Sequence, residues 1–82
     1  MEINEINEIN PEALLCDGFD DAIIGLAERI NLGPVVAYNT EKMIDIMVER
    51  DGMTYEDAIE YFDYNILGAW MGEYTPVFIQ TI

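Results

Sequence analysis

The stretch Val35-Val36-Ala37-Tyr38-Asn39-Thr40-Glu41 decides how this chain folds. β-Branched and aromatic side chains dominate its first four positions, and such residues suit a pleated strand. Asn39 and Thr40 then offer side-chain oxygens that cap a helix, and Glu41 falls in the first turn, where an acid suits the helix dipole. Beyond them the apolar period changes. Met43, Ile44, Met47 and Val48 recur as i, i+1, i+4, i+5, the stripe of a half-buried helix. Arg50 stands near its C-terminus, and Asp51-Gly52 ends it, because glycine takes positive φ freely.

Working downstream, Thr54 caps a second helix, with Asp57 three positions on in a capping-box-like arrangement. Tyr55, Ala58, Ile59, Phe62 and Ile66 form its apolar stripe, and Glu56, Asp57, Glu60 and Asp63 point elsewhere. The helix is expected to reach Leu67 or Trp70, with Gly68 as a weak point and Trp70 completing a small core. Gly72 breaks the chain, Thr75-Pro76 forces an extended entry, and Val77–Ile82 reads as a closing strand.

Working upstream, Asn31–Pro34 reads as a turn joining Val35–Tyr38 to an antiparallel partner over Ala22–Ile30, with Gly25 marking a bulge or a close neighbour. Asp17-Gly18 is a further turn. Asn10 and Pro11 suggest a short helix over Glu12–Leu15. Residues 2–10 are the triplet Glu-Ile-Asn written three times, a period that matches neither a strand nor a helix. Residues 1–12 are therefore read as a mobile low-complexity segment, the alternative being a short helix or strand docked by its isoleucines. Residues 13–82 make one small acidic domain. The fold class is α+β, a three-stranded antiparallel sheet with two helices on one face in the order β-β-α-α-β.

Composition excludes several functions. The 82 residues hold 17 acids against 3 bases, a formal charge of -14, and no histidine. The commonest general base and metal ligand is thus absent, and no catalytic role is expected. The one cysteine, Cys16, has no internal disulfide partner and no histidine to activate it. A reducing compartment suits a small chain with a single thiol. No cofactor is expected. Direct contact with nucleic acid or an anionic membrane would oppose like charges. No apolar run approaches the roughly 20 residues of a membrane span.

Arg50-Asp51-Gly52-Met53-Thr54-Tyr55-Glu56-Asp57-Ala58, the later Asn65, Gly68-Ala69 and Thr75-Pro76, and the opening Asp17-Gly18-Phe19-Asp20-Asp21-Ala22-Ile23-Ile24-Gly25 carry a resemblance. The pattern resembles a family of small acidic proteins encoded by bacteriophages, large viruses and some bacteria, with an Asp-Gly-Met-Ser/Thr-Tyr-Glu-Glu-Ala helix followed by Gly-Ala and Thr-Pro segments. It covers most of residues 17–79 and omits the Glu-Ile-Asn repeats. It implies a viral or prophage origin, hence work in the cytoplasm of an infected bacterial host. It transfers no catalytic or binding residue.

The remaining candidates come from the residues themselves. Glu41, Asp45 and Glu49 stand four apart on the first helix, a spacing that costs a few tenths of a kcal/mol per pair, partly offset if Lys42 reaches Asp45. Glu56, Glu60 and Asp63 extend this acidic face onto the second helix, with Tyr61 and Tyr64 beside them. Aromatics among carboxylates suit an Arg/Lys-rich surface. The expected function is a non-enzymatic accessory protein that binds a basic host or viral protein, in its sharpest form as a nucleic-acid mimic or inhibitor. One alternative is a self-assembling or virion-associated protein, a homodimer paired through edge strands at Val35–Tyr38 or Val77–Ile82. Another is a divalent-cation module using Asp17, Asp20 and Asp21, whose spacing does not match an EF-hand.

Overall fold

The computed structural model describes residues 3–81. In chain order these form helix α1 (Ile3–Ile9), a 3-10 turn (Asp20–Ala22), strands β1 (Ile23–Arg29) and β2 (Leu32–Asn39), helices α2 (Thr40–Asp51) and α3 (Tyr55–Tyr61), a π-helical segment (Phe62–Leu67) and strand β3 (Val77–Ile79). Glu2, in the repeat, and Ile82, in the expected closing strand, lie outside the described residues.

β2 is the central strand, with β1 and β3 on either side. Val35, Val36, Ala37 and Tyr38 are all buried, so both faces of β2 are covered. That removes Val35–Tyr38 as an edge for dimer pairing and leaves the short β3 and the bulged β1 as the edges. Side chains alternate along a strand, so Val36 and Tyr38 share a face. They share a core with Met43, Ile44 and Met47 of α2 and Ala58 of α3, and with Phe62. Phe78 of β3 stacks on Tyr38 with ring centroids 6.0 Å apart and meets Phe62 edge-on at 5.3 Å. Such aromatic pairs add about 0.5–1.5 kcal/mol each beyond their burial.

The sheet is mixed, which corrects the wholly antiparallel expectation. β1 and β2 are antiparallel, but β3 runs parallel to β2, with Ala37, Tyr38 and Asn39 opposite Val77, Phe78 and Ile79. The cause lies in the segment after the helices. Residues 68–76 return to the hairpin end of the sheet, where Arg29 Nη1 donates to the Glu73 carbonyl at 2.6 Å. From that end the chain runs in the same direction as β2, a crossover connection of the kind parallel strands require.

The hairpin turn falls earlier than expected. Arg29 pairs with Leu32, so Ile30 and Asn31 form the tip, and Asn31 takes φ 62°, a left-handed conformation that asparagine tolerates. Register slips between Ala27 and Arg29 on β1, opposite Gly33-Pro34. Proline has no N–H to give the ladder, and the Gly33 carbonyl is instead held by Arg29, from Nε at 3.0 Å and Nη2 at 2.6 Å. The second slip, between Ile23 and Gly25, is at the glycine that marked it.

The helix caps agree with the sequence. Asn39 Oδ1 accepts from the Lys42 N–H, Thr54 Oγ1 accepts from the Asp57 N–H, and Gly52 closes α2 at φ 69°. The Glu-Ile-Asn segment forms α1. Three residues advance a helix by about 300°, so successive isoleucines step around it by about 60°. Only Ile6 is fully buried, while Ile9 is 56% exposed. Pro11 opens a turn, and Glu12–Leu15 is not helical, contrary to expectation. Asn10 explains why. Its Nδ2 donates to the Pro34 carbonyl at 2.8 Å and its Oδ1 accepts from the Glu12 N–H at 3.2 Å, so it anchors the segment to β2 and shapes a turn.

Two measurements check this packing. Ile6→Ala should cost about 2–5 kcal/mol in urea unfolding, and Ile9→Ala less than about 0.5 kcal/mol; equal small effects would mean that α1 is not docked. The Tyr38 hydroxyl is buried and accepts from the Cys16 N–H at 2.7 Å, and burial pushes its pKa from 10.0 up to about 12. The folded state therefore keeps this proton where the unfolded state loses it. The stabilisation is complete below pH 10 and declines by about 1.4 kcal/mol per pH unit from about pH 10 to 12. Tyr38→Phe should flatten that alkaline decline in a series of urea titrations.

Candidate functional site

Glu41, Asp45, Glu49, Glu56, Glu60, Tyr61, Asp63 and Tyr64 are all exposed. Two grooves gather some of them. α3 turns by about 100° per residue, so Tyr55 and Ile59 lie on one side and Asp57, Glu60 and Tyr61 on the other; in the π-helical segment that follows, Asp63 lines the same groove as the first pair and Tyr64 the same groove as the second set. With Asp63, the first pair closes a groove of about 350 Å³ against the start of α2, which brings Glu41 and Asp63 together beside Tyr55. The second set lines a shallow groove of about 390 Å³ with Met53 and Asn65, which brings Glu60 to Tyr61 and Tyr64. Asp45, Glu49 and Glu56 line neither groove.

Two further residues join the site. Tyr55, a member of the apolar stripe by its spacing, is 55% exposed at the first turn of α3 and lines the first groove. Asp57, in the capping-box position, has its backbone N–H capped by Thr54 and also lines the second groove. The residue types were visible in the sequence; their convergence was not.

The α-helix ends at Tyr61, short of the expected Leu67 or Trp70. Phe62–Leu67 is π-helical, and the Gly68 N–H closes it on the Asp63 carbonyl at 3.1 Å, five residues back. Gly68 leaves this turn uncrowded: a Cβ there would stand 3.1 Å from the Asp63 oxygen and 3.3 Å from that of Tyr64. π-Turns recur at functional sites. Trp70 does not complete the core. It is 75% exposed in the return segment, followed by the exposed Met71.

The acidic faces have little positive charge beside them. Arg29 is turned to backbone carbonyls, and Arg50 is shared between a carbonyl and the neighbouring Asp51. Arg29 holds Gly33 and Glu73 and lies 5.8 Å from the Tyr74 ring centroid. Arg50 Nη1 donates to the Gly18 carbonyl at 2.6 Å, and its guanidinium sits 5.0 Å from the Phe19 ring centroid. Its Nε and Nη2 donate to the two Asp51 oxygens, both at 3.0 Å, and these hydrogen bonds hold the Asp51 carboxyl below its usual range. Among the described residues this is the one ion pair, so Lys42 does not reach Asp45.

Asp17, Asp20 and Asp21 are exposed around the turn that leads into β1. Among the described residues no group of three carboxylates or thiols converges on a point that would hold a metal ion. Cys16 is half-buried, and burial, with a smaller contribution from Asp17, pushes its thiol pKa up, while its hydrogen bond with the Tyr38 side chain opposes the rise. No described helix is long and apolar enough to cross a membrane. Comparison with protein-family models, curated proteins and solved structures found no match to this chain.

The π-turn is open to a test of sign. In an ordinary exposed α-helix, alanine in place of glycine adds about 1 kcal/mol of stability. Gly68→Ala should instead lower stability by about 1 kcal/mol, because the methyl group meets two carbonyl oxygens. A rise in the urea midpoint would show that the segment winds as a regular α-helix in solution.

Proposed function

We propose that this chain is a non-enzymatic binding protein that engages a basic surface of another protein through the acidic, tyrosine-bearing faces of α2 and α3. One observation carries the reading: Tyr61 and Tyr64 share a groove with Asp57 and Glu60, and among the described residues no cation lines it. Carboxylates there attract Lys and Arg, and the tyrosine faces add cation–π contact. Glu41 and Asp63 with Tyr55 repeat the same chemistry across α3. The formal charge of -14 extends the attraction beyond contact range and speeds association at low salt.

The absence of histidine and the open, shallow shape of the grooves support binding over catalysis. Under the resemblance of residues 17–79 to small phage-encoded proteins, the partner is a host or viral protein in an infected bacterial cell. Glu56, Glu60 and Asp63 would stand in for phosphates, with Tyr61 and Tyr64 as anchors, if the bound surface is itself a nucleic-acid groove.

Capture from a bacterial lysate on immobilised protein, eluted between about 50 mM and 1 M salt, tests the reading across strong and weak electrostatic range. A specific partner should leave at intermediate salt. Replacing Glu56, Glu60 and Asp63 by Lys should abolish its capture while the far-ultraviolet dichroism stays unchanged, since all three side chains are exposed. Capture that survives with the same salt dependence would remove this face as the site.

A further inference from the structure

The acid–tyrosine groove does not end at Tyr61. Tyr61 and Asn65 also line a second depression of about 330 Å³, whose walls are largely apolar. Leu14, Leu15 and Phe19 from the N-terminal segment form one part of it, and Ile66, Met71 and Pro76 another. A shelf that attracts cations thus adjoins a trough that attracts apolar groups, with two residues common to both. Leu14 is 38% exposed and Met71 69% exposed, so the trough opens to solvent.

This juxtaposition selects one kind of occupant. A second copy of the chain would bring another -14 against the shelf. A purely apolar ligand would leave Asp57 and Glu60 unused, and a purely basic one would leave the trough wet. We infer that the double groove takes a short basic segment of a partner protein, with one bulky apolar side chain in the trough and a neighbouring arginine on the shelf. Arginine suits the shelf better than lysine, because its planar guanidinium stacks on a tyrosine ring while it donates to a carboxylate. The apolar side chain supplies affinity that salt does not screen, and the arginine supplies direction and rate. The inference rests on the reading of the acidic faces as a protein-binding surface, and it adds what that surface reads.

Three synthetic peptides test it against the full chain, labelled with nitrogen-15. The first carries a leucine flanked by arginines, the second has serine in place of the leucine, and the third has neutral citrulline in place of each arginine. The first should bind at least about tenfold more tightly than the serine control, the margin expected for burying one leucine side chain, and more tightly than the citrulline control at low salt. Its amide shifts should centre on Tyr61, Asn65 and Ile66 and spare Asp45 and Glu49. Met71→Ser should reduce the leucine peptide to the level of the serine peptide and leave the latter unchanged. Tyr64→Ala should weaken both arginine-bearing peptides. Both side chains are mostly exposed, so the fold does not depend on them. Equal binding of the leucine and serine peptides would overturn the inference and leave the acidic-face reading standing. Equal, salt-insensitive binding of the leucine and citrulline peptides would overturn both. Binding of no peptide would overturn the inference alone, since capture of a folded partner is measured separately.

Discussion

The guanidinium of Arg29 reaches two backbone carbonyls. One belongs to Gly33, opened out of the ladder where Pro34 has no N–H to contribute. The other belongs to Glu73, in the segment that returns from the helices. A charged donor makes hydrogen bonds worth about 1.5–3 kcal/mol, and here they join the hairpin to the last connection. The return of the chain at this end is what sets β3 parallel to β2. Phe78 then stands over Tyr38 and against Phe62, and the core closes.

Tyr38 is the second junction. Its ring lies in the core, while its hydroxyl accepts from the Cys16 N–H and so draws the N-terminal segment onto the central strand. Asn10 does the same further upstream through Pro34. These polar contacts order a segment that has little regular structure, and they let a small chain bury Ile6 and Ala13 with the rest of the core. A small domain buries a modest fraction of its surface, so each such tie matters to its stability.

Arg29 is held by carbonyls, and Arg50 is shared between the Gly18 carbonyl and Asp51, so neither arginine pairs with the acids of the candidate site. None of the helical acids of the candidate site is in an ion pair among the described residues, and the spacing of Glu41, Asp45 and Glu49 costs α2 some stability. The protein tolerates this repulsion because α2 is held by Met43, Ile44 and Met47 and by good caps. Around α3 the same acids fall beside exposed tyrosines, and the return segment adds an apolar trough at their edge. The surface is therefore patterned, with charge and apolar area adjoining at Tyr61 and Asn65.

Elements whose signals are local are legible in the sequence. Asn39, Thr54 and Gly52 act within a few residues of themselves, and they bound α2 and start α3 where the spacing predicts. The hairpin and the bulge at Gly25 were legible for the same reason, as were the acids and tyrosines of the candidate site. Tertiary structure alone decided the direction of β3, the docking of Ile6, the π-turn after Tyr61 and the exposure of Trp70. Each depends on contacts between residues far apart in the chain, such as Arg29 with Glu73 or Asn10 with Pro34. It also divided one inferred acidic face into two grooves, because which residues share a side of α3 is local, but what stands opposite them is not.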